Sequence, residues 1–135
     1  MAFLDWKDSY NLGIKEIDNQ HQGLFDLISR LSNTKHYEHG DKYFAATLQT
    51  LLKYAEVHFA TEERYMKEAQ YPKLTEHQQE HAIFLYTLSK LTKDLENNDP
   101  DLHTKILNFL HDWYSSHILG TDREIGDALK AKGFS

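Results

Sequence analysis

The sequence predicts an all-α fold: an up-down-up-down four-helix bundle with an N-terminal arm and a short C-terminal helix. Two observations predict it. Apolar residues recur at three- and four-residue spacing through four long segments, the period of one face of an α-helix. Helix-breaking clusters fall between those segments, at Gly40-Asp41, Tyr71-Pro72, Asn97-Asn98-Asp99-Pro100 and Gly120. A length of 135 residues suits one domain with a sizeable core. The expected division is an arm over 1–16, the bundle over 17–119 and the final helix over 122–131.

Each element has its own signal. Trp6, Tyr10, Leu12 and Ile14 are expected to hold the arm against the bundle. The first helix is read from about Asp18 to His36, along Ile17, His21, Leu24, Phe25, Ile28 and Leu31. Asp41 is a plausible N-cap for the second. Its apolar line runs Phe44, Leu48, Leu51, Leu52, Ala55, His58, Phe59 and Glu62, and Pro72 ends the pattern because proline cannot continue a helix interior. The third carries His77, His81, Phe84, Leu88, Leu91 and Leu95. Asp99 as N-cap and Pro100 at the first helical position start the fourth, which runs Leu102, Ile106, Phe109, Leu110, Trp113 and His117. Gly120 is read as an interruption before a short helix from Asp122.

Composition removes several classes of function. There is no cysteine, which excludes disulfides, thiolate zinc sites, iron–sulfur clusters and catalytic thiols. The net charge is −6 with no basic patch, so nucleic acid is not an expected partner. Mean hydropathy is −0.67, and no apolar run spans a bilayer, so no membrane insertion is expected. The opening Met1 to Asp8 lacks a basic stretch followed by an apolar one, so no secretory signal is read and a cytoplasmic location is expected. A monomer is expected from size and surface charge. The nine histidines leave imidazole as the softest ligand, and it suits iron, zinc, copper and nickel.

Seven polar residues continue the apolar lines: His21, His58 with Glu62, His77 with His81, and His117 with Asp122. Pairs four apart share a helix face. Burying such groups without partners costs roughly a few kcal/mol each, and a shared metal site supplies partners for all of them. Two carboxylates can bridge two ions while offsetting their charge. Five nitrogens then divide three to two, which leaves one metal with a vacant position beside a redox partner. That suits reversible reduction of a small diatomic molecule. The stretch His77-Gln78-Gln79-Glu80-His81 also matches an inverted zinc-protease signature with Glu80 as general base, but that reading leaves the other three motifs unexplained. His36, His39, His103 and His111 are read as surface residues.

These residues resemble the hemerythrins in order and spacing: His21, His58-Phe-Ala-Thr-Glu62, His77-Gln-Gln-Glu-His81 and His117-Ile-Leu-Gly-Thr-Asp122. The segment Ile17-Asp18-Asn19-Gln20-His21, with Trp6 and Gly13, is similar to the bacterial branch, the bacteriohemerythrins. The resemblance implies two iron ions, Fe2+ or Fe3+, joined by an oxo or hydroxo bridge, with dioxygen as ligand. It implies that His77, His81 and His117 bind the saturated iron, that His21 and His58 bind the open one, and that Glu62 and Asp122 bridge. It implies reversible oxygen binding for carriage, storage or delivery to an oxygen-using partner enzyme. Sensing through a partner protein is a second possibility, and a diiron peroxidase, oxidase or nitric oxide handler is a third.

Leu24, Phe59, Trp113 and Ile118 neighbour the ligands and are read as core that also keeps an oxygen pocket dry. Tyr114 departs from the family, which usually has an aliphatic residue three before the last histidine. Either its hydroxyl reaches the surface, or it enters the oxygen pocket as a hydrogen-bond donor or gate. Gln22, Gln78, Gln79, Glu80 and Glu63 are read as solvated or as groups that orient ligand imidazoles.

Overall fold

The computed structural model describes residues 7–34, 40–94 and 101–135. A 3₁₀ turn, Asp8–Tyr10, leads into helix α1, Lys15–Thr34. Helices α2, Gly40–Glu68, α3, Leu74–Asp94, and α4, Leu102–Trp113, follow. The chain then widens into a π-helical segment, Tyr114–Thr121, and runs on as α5, Asp122–Ala131. Each long helix lies against the next in sequence, and α1 also meets α4, which closes the four-helix bundle.

Helix α2 begins at Gly40, so Asp41 lies within it rather than capping it, and α4 begins at Leu102 with Asp101 in the N-cap position. Two further local expectations change. Helix α1 starts at Lys15, three residues before Asp18. Gly13 sets the turn that ends the arm, with a left-handed φ of 93° that favours glycine. Asp18 then sits inside the helix and reaches back: its carboxylate accepts from the backbone N–H of Leu12 at 2.6 Å and of Gly13 at 3.0 Å. The second change is at Gly120, where the helix does not break. The backbone continues from α4 into α5 by widening rather than stopping. Trp6, His36, His39, Leu95, Asp99 and Pro100 lie outside the described residues. The fold within them is otherwise the all-α bundle read from sequence, with its arm and C-terminal helix.

The apolar lines converge as their spacing requires. Leu24, Ile28 and Leu31 of α1, Phe44, Leu48 and Leu51 of α2, Phe84 and Leu88 of α3 and Ile106 and Leu110 of α4 are buried in one cluster. A second cluster closes one end of the bundle. Leu12 and Ile14 of the arm meet Ile17, Met66, Ala69, Ile125 and Leu129 there. The arm is therefore part of the core.

The arm approaches α5 closely because Gly126 has no side chain. A Cβ built at Gly126 would lie 2.7 Å from Leu12 Cβ, near the backbone and unable to swing aside. Gly126→Val is expected to lower unfolding stability by about 1–3 kcal/mol through overpacking. Denaturant midpoints at matched slopes measure this; an unchanged midpoint would contradict the close approach.

Candidate metal centre

All seven polar residues of the apolar lines meet in the bundle interior and are buried: His21, His58, Glu62, His77, His81, His117 and Asp122. Helix α1 supplies His21, α2 supplies His58 and Glu62 one turn apart, and α3 supplies His77 and His81 one turn apart. The fourth strand of the constellation depends on the π segment. On an α-helix, residues five apart point in different directions. Here the backbone N–H of Asp122 donates to the carbonyl of His117, the i to i+5 bond of a π-helix. The side chains of the two residues are brought onto one face, with His117 Nε2 3.2 Å from Asp122 Oδ1.

The two carboxylates stand between two sets of imidazoles. Glu62 turns Oε1 to His21, at 3.4 Å, and to His58, with which it is in close contact. Its Oε2 faces His77 at 3.7 Å and His81 at 3.9 Å. Asp122 turns Oδ2 to His21 at 3.1 Å, and Oδ1 to His77 at 2.8 Å and His117 at 3.2 Å. Each carboxylate therefore offers one oxygen to His21 or the His21–His58 pair and the other to two of the remaining histidines, His77 with His81 for Glu62 and His77 with His117 for Asp122. Two groups of ligand atoms result, each lying within 4.8 Å of one another: Glu62 with His77, His81 and His117, and His21 and His58 with Glu62 and Asp122.

Buried atoms without hydrogen-bond partners test whether metal ions fit. His58 Nε2, His81 Nε2, His117 Nε2, Glu62 Oε2 and Asp122 Oδ2 are all shut from solvent and, close as they stand to one another, none has a partner in hydrogen-bonding geometry among the described residues. Buried polar atoms are ordinarily satisfied. These belong to the two ligand groups, and all are metal-donor types. The donor set fits two ions that prefer nitrogen and carboxylate oxygen.

The buried carboxylates favour the charged form of two of the imidazoles. Burial alone would lower the His21 pKa, but hydrogen bonds and charge from Asp122 and Glu62 outweigh it and raise it from 6.5 to about 9. The same balance carries His77 up to about 10. Burial would raise Glu62, and the His58 charge with bonds from His21, His58 and His77 pulls it well below the usual carboxylate range. Burial and the Glu62 charge would raise Asp122, and His117, His21 and His77 bring it down. His81 is lowered, chiefly by burial.

The outer contacts of the imidazoles differ by residue. His58 Nδ1 lies 2.8 Å from the amide oxygen of Gln20, whose Nε2 donates to Thr61. His81 Nδ1 lies 3.1 Å from Glu63. His117 Nδ1 lies 2.9 Å from Glu80 Oε2 and 3.3 Å from Thr121 Oγ1. Glu63 and Glu80 were open alternatives in the sequence and are found against ligand-type histidines. Gln22 and Gln79 are exposed. Gln20 was missed because its contact depends on the register of α1 against α2, 38 residues away, which leaves no local signal.

Phe59 stacks on His81 with centroids 3.9 Å apart, and Trp113 stacks on His117 at 4.7 Å. Leu24 and Ile118 are buried beside them. Tyr114 is fully buried against Phe25, so the reading in which its hydroxyl reaches the surface is wrong. The hydroxyl has no hydrogen-bond partner among the described residues, and burial, followed by Tyr10 and Asp26, raises its pKa. His103 is also corrected: it is half-buried and stacks on Phe44 at 4.1 Å. His111 is half-buried too.

Fold and site define a class: a helical bundle with a buried centre suited to two metal ions. The profile of the hemerythrin HHE cation binding domain matches residues 12–129. A bacteriohemerythrin of Clostridium acetobutylicum is 34% identical over 127 residues, covering 90% of this chain and 98% of that protein. One of Stenotrophomonas maltophilia is 30% identical, covering 97% and 84%. Crystal structures of a hemerythrin carrying leucine-to-alanine and leucine-to-tyrosine substitutions superpose with a TM-score of 0.85 at 25% identity, over 96% of this chain and 98% of theirs. The chain belongs to the hemerythrin family, described as a cation binding domain.

The raised histidines set a pH dependence. A pKa raised on folding contributes stability in full below the unfolded value of 6.5, and that contribution is lost as pH rises through about 9 for His21 and about 10 for His77. The denaturation midpoint of the metal-free protein is therefore expected to fall between pH 6.5 and pH 9. Metal binding must displace the same protons, so loading at about pH 7.5 is expected to release about two protons per chain. An indicator dye in weak buffer counts them. Loading without release would show that both imidazoles are already neutral.

Proposed function

We propose that this protein binds dioxygen reversibly at a diiron centre, for carriage, storage or delivery to an oxygen-using partner. The observation that carries the reading is the placement of Glu62 and Asp122, with oxygens directed to both sets of histidines. In this reading His77, His81 and His117 would hold one iron, His21 and His58 would hold the other, and Glu62 and Asp122 would serve both, with an oxo or hydroxo group from solvent. Bound there, the pair of irons supplies two electrons and one open coordination position to dioxygen.

The protein's own residues set the conditions. The five nitrogens would divide three to two, so the half with His21 and His58 would offer its ion one imidazole ligand fewer than the half with His77, His81 and His117. Phe59, Trp113, Leu24 and Ile118 exclude water and so disfavour loss of a reduced oxygen species. Tyr114 occupies core space three residues before His117 and carries an unpartnered hydroxyl. It acts in the proposal as a gate or hydrogen-bond donor of the oxygen pocket. No helix among the described residues is long and apolar enough to cross a membrane. As a small bundle with a net charge of −6, the protein acts as a monomer in the cytoplasm.

The direct test follows the visible spectrum of reduced, iron-loaded protein through cycles of oxygen admission and removal. A band that appears and disappears reversibly supports carriage. Prompt irreversible oxidation contradicts it and favours turnover or sensing. Tyr114→Leu is expected to speed oxygen dissociation and autoxidation severalfold, because it opens the pocket and removes the hydroxyl. Equal rates in stopped-flow measurements would remove Tyr114 from the account.

A further inference from the structure

The five imidazoles differ in what stands behind them. In the three-histidine half, Glu63 Oε2 lies 3.1 Å from His81 Nδ1. Glu80 Oε2 lies 2.9 Å from His117 Nδ1 and 3.8 Å from His77 Nδ1. That Glu80 oxygen is shut from solvent and out of line for a hydrogen bond, which His117 Nδ1 makes with Thr121 Oγ1 at 3.3 Å, so Glu80 acts on the imidazoles through its charge, while Glu63 hydrogen-bonds His81 directly. In the two-histidine half no carboxylate plays this part among the described residues. His58 Nδ1 faces the neutral amide of Gln20 at 2.8 Å, and His21 Nδ1 is buried without a hydrogen-bond partner.

We propose that Glu63 and Glu80 are positioning residues that make the three-histidine half the electron-rich half of the centre. A carboxylate facing an imidazole Nδ1–H raises the donor strength of the opposite nitrogen. A stronger donor favours the higher charge on the metal it holds. The iron of that half therefore gives up its electron first. It is the iron with no open position, so it serves as the electron reserve for the open one. The step is a one-electron oxidation of ferrous to ferric iron, with the electron passing to the one-electron mediator dye of the titration, which is reduced by one electron in turn. The Nδ1 proton stays on the imidazole. This inference rests on the diiron reading above.

The test is a mediated redox titration of the iron-loaded full chain, followed in the visible, after iron content is measured. Glu63→Gln and Glu80→Gln keep shape and remove charge. Each is expected to weaken the preference for ferric iron in that half by about tenfold, the low end for such partners because both side chains are partly exposed. Tenfold corresponds to about 59 mV upward for a one-electron couple. Gln20→Glu adds a carboxylate behind His58 and is expected to lower the second couple and narrow the separation of the two. This arm stands even where a Glu→Gln variant holds iron poorly. A structural role alone would change iron content without moving the potentials in opposite directions. Potentials unmoved by all three substitutions at two irons per chain would overturn this inference alone. Fewer than two irons in the unsubstituted chain would overturn the diiron reading with it.

Discussion

Two buried carboxylates facing five buried imidazoles are the constraint on which the rest of the structure depends. Glu62 and Asp122 lie in a dry interior, and burial opposes their charge. Removing one partner from such a set leaves a charge uncompensated at a cost of roughly 3–5 kcal/mol. The bundle must therefore present all seven groups together. Four helical segments achieve this, with His58 and Glu62 one turn apart on α2 and His77 and His81 one turn apart on α3. The apolar cluster around Phe44, Leu48 and Ile106 holds one end in place, and the arm with α5 closes the other.

The π segment shows how the backbone yields to the site. His117 and Asp122 are five residues apart, a spacing that an α-helix does not align. Widening the turn over Tyr114–Thr121 aligns them without breaking the helix. It also sets Ile118 and Tyr114 into the core. π-helical turns are uncommon, and they occur often at functional sites.

Much of this was legible in the sequence because burial and periodicity are local signals. Four apolar lines at helical spacing gave the bundle, and polar residues lying on those lines gave the seven candidates. Three things were not legible. Gly120 reads as a break in any propensity scheme, and only the pairing of His117 with Asp122 hints at widening instead. Gln20 touches His58 through the packing of two helices, which no spacing within one helix encodes. The Tyr114 hydroxyl looks free to reach water from its position alone; packing against Phe25 in the folded core removes that option.

The stretch from His77 to His81 is the most familiar local motif, and it is incomplete by itself. Its imidazoles share Glu62 with a helix that the motif does not contain. Anomalous diffraction from crystals of the iron-loaded protein tests the central claim most directly. The account predicts two iron peaks per chain, roughly 3.5–4 Å apart, with Glu62 and Asp122 between them. A single peak held by His77 and His81 alone would contradict it.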